Sequence, residues 1–155
     1  DHVWEFGGNS GRNTLLLKTI LTQDDSGGQL LTTEMVPTFA DALHKIIPAG
    51  HENLKLFMGA ISDVAITFDP PQSATGHETQ GDTANKGSEK AVVLTPDQAI
   101  DEFDILPEVL VADCEGCIMN ILDGENPKFW SSLDLIVLEQ EIKDNPTAYN
   151  HFLDV

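Results

Sequence analysis

Strand-like and helical patterns alternate along most of this 155-residue chain. "HVWEF" (2–6) is short, apolar and aromatic, and stops at Gly7-Gly8. "RNTLLLKTIL" (12–21) repeats at helical spacing, with Leu16 and Ile20, then Leu17 and Leu21, on shared faces. "QLLTTE" (29–34) reads as a strand. Pro37 suits a helix first turn, and Phe39, Leu43, Ile46 and Ile47 follow on one face. "LKLFMGAI" (54–61) reads as a third strand, with "VAITF" (64–68) a further strand or its extension. "AVVL" (91–94) leads into Thr95, Pro96 and Gln98, a capping-box pattern opening a helix with Ile100 and Phe103. "EVLVAD" (108–113) reads as a buried strand and 114–122 as a helix. Asn126-Pro127 starts another helical piece. "LDLIVLEQE" (133–141) has so little alternation that it reads as a strand covered on both faces. Asn145-Pro146 opens a last helix bearing Tyr149, Phe152 and Leu153. This order predicts an α/β layered domain with a mostly parallel sheet.

One excursion interrupts the pattern. Residues 69–90 hold no large apolar side chain and read as a surface segment, mobile or pinned by a partner. The length suits a single domain, 1–155, and the abrupt opening on "DHVWEF" suggests a piece of a longer chain. Location therefore stays open. No apolar run approaches the roughly 20 residues needed to span a bilayer.

The charge narrows the partners. With 26 acidic against 8 basic residues the net charge is −18, which repels nucleic acid and anionic membranes and favours cationic ligands. The five histidines are scattered and the only cysteines are Cys114 and Cys117, so no metal centre is expected.

In parallel α/β sheets ligands sit beyond the carboxyl ends of the strands. Each predicted strand carries acid there: Glu5, Glu34, Asp63 after Ser62, Asp113 with Glu115 beyond it, and Glu139 with Glu141. Together they predict a crevice with a negative lining. The first strand runs into "GGNSG" (7–11), where missing side chains let backbone approach a ligand. Asn9 stands where a dinucleotide fingerprint has its second glycine, so NAD is disfavoured.

These segments resemble a known family. "VWEFGGNSGRNTLLL" is similar to the first motif of class I, S-adenosylmethionine-dependent methyltransferases, most of all their FkbM-type branch. "TTEMVPTFADAL", "LFMGAISD", "VLVADCEGCIMNIL" and "LDLIVLEQE" resemble that family's later segments, in register from about residue 2 to 141. The resemblance implies a Rossmann-like fold and S-adenosylmethionine as cofactor. By it, Glu5, Gly7, Gly8, Asn9 and Gly11 line the methionine part, Glu34 holds the ribose, and Ser62 and Asp63 flank the adenine. Asp113 lies near the reactive methyl, and Asp113 or Glu115 takes a proton from a small-molecule or glycan hydroxyl. Two departures bear on catalysis: Val111 replaces a usual lysine and Ile118 a usual glutamate. The family's C-terminal antiparallel hairpin also has no counterpart here, and an open sheet edge invites a protein partner. A non-catalytic subunit of a larger assembly is thus the alternative reading.

"VADCEGCIMNIL" (111–122) leaves a third. A Cys-x-x-Cys at a strand-to-helix junction suits a redox dithiol. Glu115 between the thiols and Asp113 beside them disfavour a thiolate. The expected role of Cys114 and Cys117 is as small, partly buried packing residues.

Overall fold

Apolar runs that lack alternation bury both faces, and here they pair side by side. The computed structural model describes residues 1–23, 27–47, 53–68, 89–114, 117–122 and 124–139. Its main sheet contains β1 (His2–Phe6), β2 (Gln29–Thr33), β3 (Leu54–Phe57), β8 (Val109–Ala112) and β9 (Leu135–Leu138). The order is β3-β2-β1-β8-β9, and every neighbouring pair is parallel. The chain works outward from β1 to β3, then returns to the other side of β1 for β8 and β9. The order therefore reverses between β1 and β8, the place where sheets of this kind open a crevice.

The register sorts the apolar side chains onto two faces. Val3 pairs with Leu30, and Leu30 with Leu54. All three pack with Leu17 and Leu21 of α1 (Arg12–Leu21), Ile46 of α2 (Pro37–Ile46) and Ile47 just past it. On the opposite face Trp4, Phe6, Leu31, Leu110 and Ala112 pack with Ala99 of α3 (Pro96–Phe103), with Phe129 of α4 (Pro127–Ser132), and with Ile118 and Ile121. The Trp4 and Phe129 ring centroids stand 5.4 Å apart. Burying each such side chain contributes about 1.5–3 kcal/mol, so this second layer is the main core.

The helix starts follow from sequence. Thr95 and Gln98 form the capping box, each side chain accepting from the other's backbone N–H. Asp97 of α3 accepts from the N–H groups of Lys128 and Phe129, while Asn126 Oδ1 accepts from the Asp97 N–H. The N-termini of α3 and α4 thus cap each other.

Several expectations need correction. "LKLFMGAI" is not one strand: it bends at Met58-Gly59, and Ala60–Ile61 (β4) leaves the main sheet to pair in parallel with Val93–Leu94 (β7). Gly59 lies so close to the Val92 carbonyl that any side chain would collide there. Of the helix expected over 114–122, the described residues form one 3-10 turn, Cys117–Asn120, and residues 115–116 lie outside them. β9 is an edge strand rather than a strand covered on both faces, with Leu135 52 % and Val137 47 % exposed among the described residues. Of the excursion, residues 69–88 lie outside the described residues, while Glu89–Lys90 (β6) pairs antiparallel with Thr67–Phe68 (β5). The expected last helix at 145–153 and Glu141 also lie outside the described residues. Among those described, no helix is long and apolar enough to cross a membrane.

Candidate functional site

The loop between β1 and α1 is held from below by β2. The N–H groups of Gly7 and Gly8 both donate to the Thr33 carbonyl, at 3.1 and 2.9 Å. The Asn9 N–H donates to Glu34 Oε2 at 2.8 Å, and the Val36 N–H to Glu34 Oε1 at 2.8 Å. Glu34 therefore ties the glycine loop to the start of α2. With the Met35 N–H as a third donor, one lone pair of the carboxylate remains. Asn9 sits at φ 45°, a left-handed backbone that asparagine tolerates.

The glycines serve packing before they serve any ligand. A side chain on Gly7 would overlap the Asp113 carbonyl, one on Gly8 would meet Thr32 and Leu43, and one on Gly11 would meet Ile46. α1 opens on Gly11 with no capping side chain.

Glu5 lies inside the sheet, 1 % exposed, rather than at the strand tip. Thr14 of α1 and Thr32 of β2 both donate their hydroxyls to Glu5 Oε2, at 2.5 and 2.8 Å. Glu5 Oε1 is buried with no hydrogen-bond partner among the described residues. Burial pushes the Glu5 carboxyl above the usual glutamate range; the two hydroxyls oppose this, and the nearby Asp113 and Glu34 charges reinforce it. Burial raises Glu34 as well, opposed by the N–H groups of Val36, Asn9 and Met35.

Asp113 follows β8 directly, its N–H donating to the Phe6 carbonyl at 3.0 Å. Its side chain is exposed and accepts from Asn13 Nδ2 of α1 at 3.1 Å. Glu34 and Asp113 thus lie just past β2 and β8, beside the glycine loop, with Glu5 buried within β1 and close enough to feel both charges. Glu115 lies outside the described residues. Cys114 and Cys117 are half-buried against the main core and joined by a disulfide, which the packing expectation did not include.

Ser62 and Asp63 are occupied within the chain. Ser62 Oγ donates to the Val64 carbonyl and accepts the Val64 N–H. Both Asp63 oxygens accept from Asn126 Nδ2 at 2.9 Å, and Gly124 presses on the same carboxylate. Among the described residues no three His, Cys, Asp or Glu side chains gather as a metal site requires.

Thr14, Thr32, Asn13 and Asn126 were not among the expected site residues. Thr32 carries a signal: it is a polar residue in register with Glu5 inside two buried strands. Asn13 and Asn126 carry none, because their partners are distant in sequence. No family model, no curated protein and no solved structure matches the chain.

Proposed function

We propose that this chain carries a Rossmann-like, S-adenosylmethionine-binding domain of the methyltransferase type, directed at a hydroxyl on a small molecule or glycan. The observation that carries the reading is the gathering of Glu5, Glu34 and Asp113 beside the 7–11 loop, where the strand order reverses. A sulfonium is a cation, and an acidic, partly buried lining attracts it.

The residues present fit such a group. Glu5 Oε1 is a buried acceptor without a partner among the described residues. The lone pair that Glu34 keeps beyond its three N–H donors suits a ribose hydroxyl. Gly7, Gly8, Asn9 and Gly11 would line the methionine portion, and Ser62 and Asp63 would flank the adenine by shape alone, their side chains and backbone N–H groups being engaged within the chain already. When bound, the cofactor supplies the methyl group. Asp113, exposed just past β8, would orient an acceptor hydroxyl and take its proton.

A second reading, a non-catalytic subunit, has its own observations. Ile118 is 2 % exposed in the main core and Val111 packs against the other cluster, so neither offers a reacting substrate anything. Leu135 and Val137 of β9, exposed among the described residues, form an apolar face that a protein partner would cover.

Calorimetry with S-adenosylmethionine and S-adenosylhomocysteine tests the cofactor reading. Glu34→Ala is expected to weaken binding at least about tenfold, the equivalent of one charge-assisted bond. No binding by the wild type sinks the reading. Binding without turnover on any hydroxyl acceptor selects the second reading.

A further inference from the structure

The Cys114–Cys117 disulfide joins two anchored points of the chain. Cys114 follows Asp113, which the Phe6 carbonyl holds to the sheet. Cys117 opens the 3-10 turn whose Ile118 is buried in the main core. Besides the sulfur bridge, the Cys117 N–H donates to the Cys114 carbonyl at 3.2 Å. Asp113 and Cys114 lie against the glycine loop: a side chain on Gly7 would meet both the Asp113 carbonyl and the Cys114 Cβ.

The span between the two cysteines is short, with a sequence separation of 3. Disulfide stabilisation grows with the length of chain enclosed, so this bond constrains little of the unfolded state. Its effect is local. Both cysteines are half-buried rather than sealed, which leaves the bridge open to a small dithiol.

We propose that Cys114–Cys117 is a redox site that latches the crevice: the disulfide holds the Asp113 wall against the glycine loop, and reduction by a dithiol loosens both and weakens ligand binding there. The ligand half of this rests on reading the crevice as a cofactor site. In the exchange the dithiol gives two electrons and two protons. The Cys114–Cys117 bond breaks, both cysteines leave as thiols, and the reductant closes to its own disulfide.

The experiment uses the whole chain, oxidised and then equilibrated with dithiothreitol, with alkylation and mass measurement reporting the cysteine state. Amide hydrogen exchange is followed at Gly7, Gly8 and Asp113, and calorimetry is run with S-adenosylhomocysteine. Reduction is expected to speed exchange at those amides and to weaken binding at least about fivefold, the lower end of ordinary coupling between sites. The Cys114→Ala/Cys117→Ala variant is expected to match the reduced protein and ignore dithiothreitol; reduced wild type gives the same comparison where that variant fails to fold. A bridge that dithiothreitol leaves intact in the folded protein, or equal exchange in both states, overturns the latch. Equal S-adenosylhomocysteine affinity in both states overturns it too, while leaving the cofactor reading standing. No binding in either state, with the exchange difference kept, removes the cofactor and keeps the latch.

Discussion

Thr32 stands directly opposite Glu5 across the β1–β2 ladder and donates its hydroxyl to Glu5 Oε2 at 2.8 Å. Parallel register puts both side chains on the α1 face of the sheet, where Thr14 completes the contact. A buried carboxylate is tolerated only with such donors. Thr32 therefore belongs to the site as firmly as Glu5 does.

Thr32→Val keeps the shape and removes the donor. It is expected to cost about 0.5–1.5 kcal/mol, the net worth of one hydrogen bond, because Thr14 still donates to the same oxygen. Thr19→Val, on the exposed side of α1, is the control and is expected to stay within about 0.5 kcal/mol. Urea denaturation of the pair measures both. Equal effects would show that Glu5 does not depend on Thr32.

Glu5 also sets a pH dependence. Its folded-state pKa lies above its ordinary value of 4.5, so the folded chain holds this proton where the unfolded chain has lost it. Glu5 therefore stabilises the fold most at low pH, and that contribution is lost as pH rises from about 4.5 through the raised value. Glu34 acts in the same direction. Glu5→Gln removes one of the two groups. Its urea midpoint is expected to gain on the wild type as pH rises, with a flatter profile. Parallel profiles would mean that Glu5 titrates normally.

How much of this could be read from the residues alone differs from element to element. β1, α1, β2, α2, α3 and α4 follow their patterns closely, because Pro37, the Thr95–Gln98 box and Asn126-Pro127 mark helix starts locally. The bend at Gly59 was hidden, because it depends on the Val92 carbonyl, far along the chain. β9 misled for another reason. A run without alternation shows that a strand tolerates burial on both faces, not that both are covered. Of the acids, Glu34 and Asp113 lie at the strand ends where they were expected, and Glu5 lies deeper. Asp63 has a duty no local pattern announces, since its partner Asn126 belongs to the turn before α4.

The glycine loop offers a comparison within one chain. Gly7 and Gly27 both have positive φ, 83° and 71°. Around Gly27 a Cβ meets nothing within 4 Å among the described residues, so Gly27→Ala is expected to carry only the left-handed backbone cost, about 1–2 kcal/mol. At Gly7 the same cost is joined by overlap with the Asp113 carbonyl, a backbone atom that no rotamer change removes. Gly7→Ala is therefore expected to lose more than Gly27→Ala, by at least about 1 kcal/mol, as overpacking typically does. Thermal denaturation of the two variants decides it. Equal losses would mean that the β8 end yields easily and the loop is not clamped.

Asp113 separates the catalytic reading from the inert one. Its side chain is exposed and meets Asn13 alone among the contacts described above, so Asp113→Asn disturbs little of the fold. Asn13 Nδ2 can still donate to the new amide oxygen. Stability is expected to stay within about 0.5 kcal/mol of wild type. If Asp113 takes the acceptor's proton, methyl transfer is expected to fall far more than S-adenosylmethionine affinity, because only interactions stronger in the transition state set the chemical step. Turnover and calorimetry on the same preparation give the two numbers. A matched fall in both would make Asp113 a binding residue and move the chemistry elsewhere. If the wild type binds cofactor but turns nothing over, and Asp113→Asn changes neither affinity nor stability, the crevice has kept its lining without a reaction. Val111 and Ile118, committed to the two cores, are then the reason.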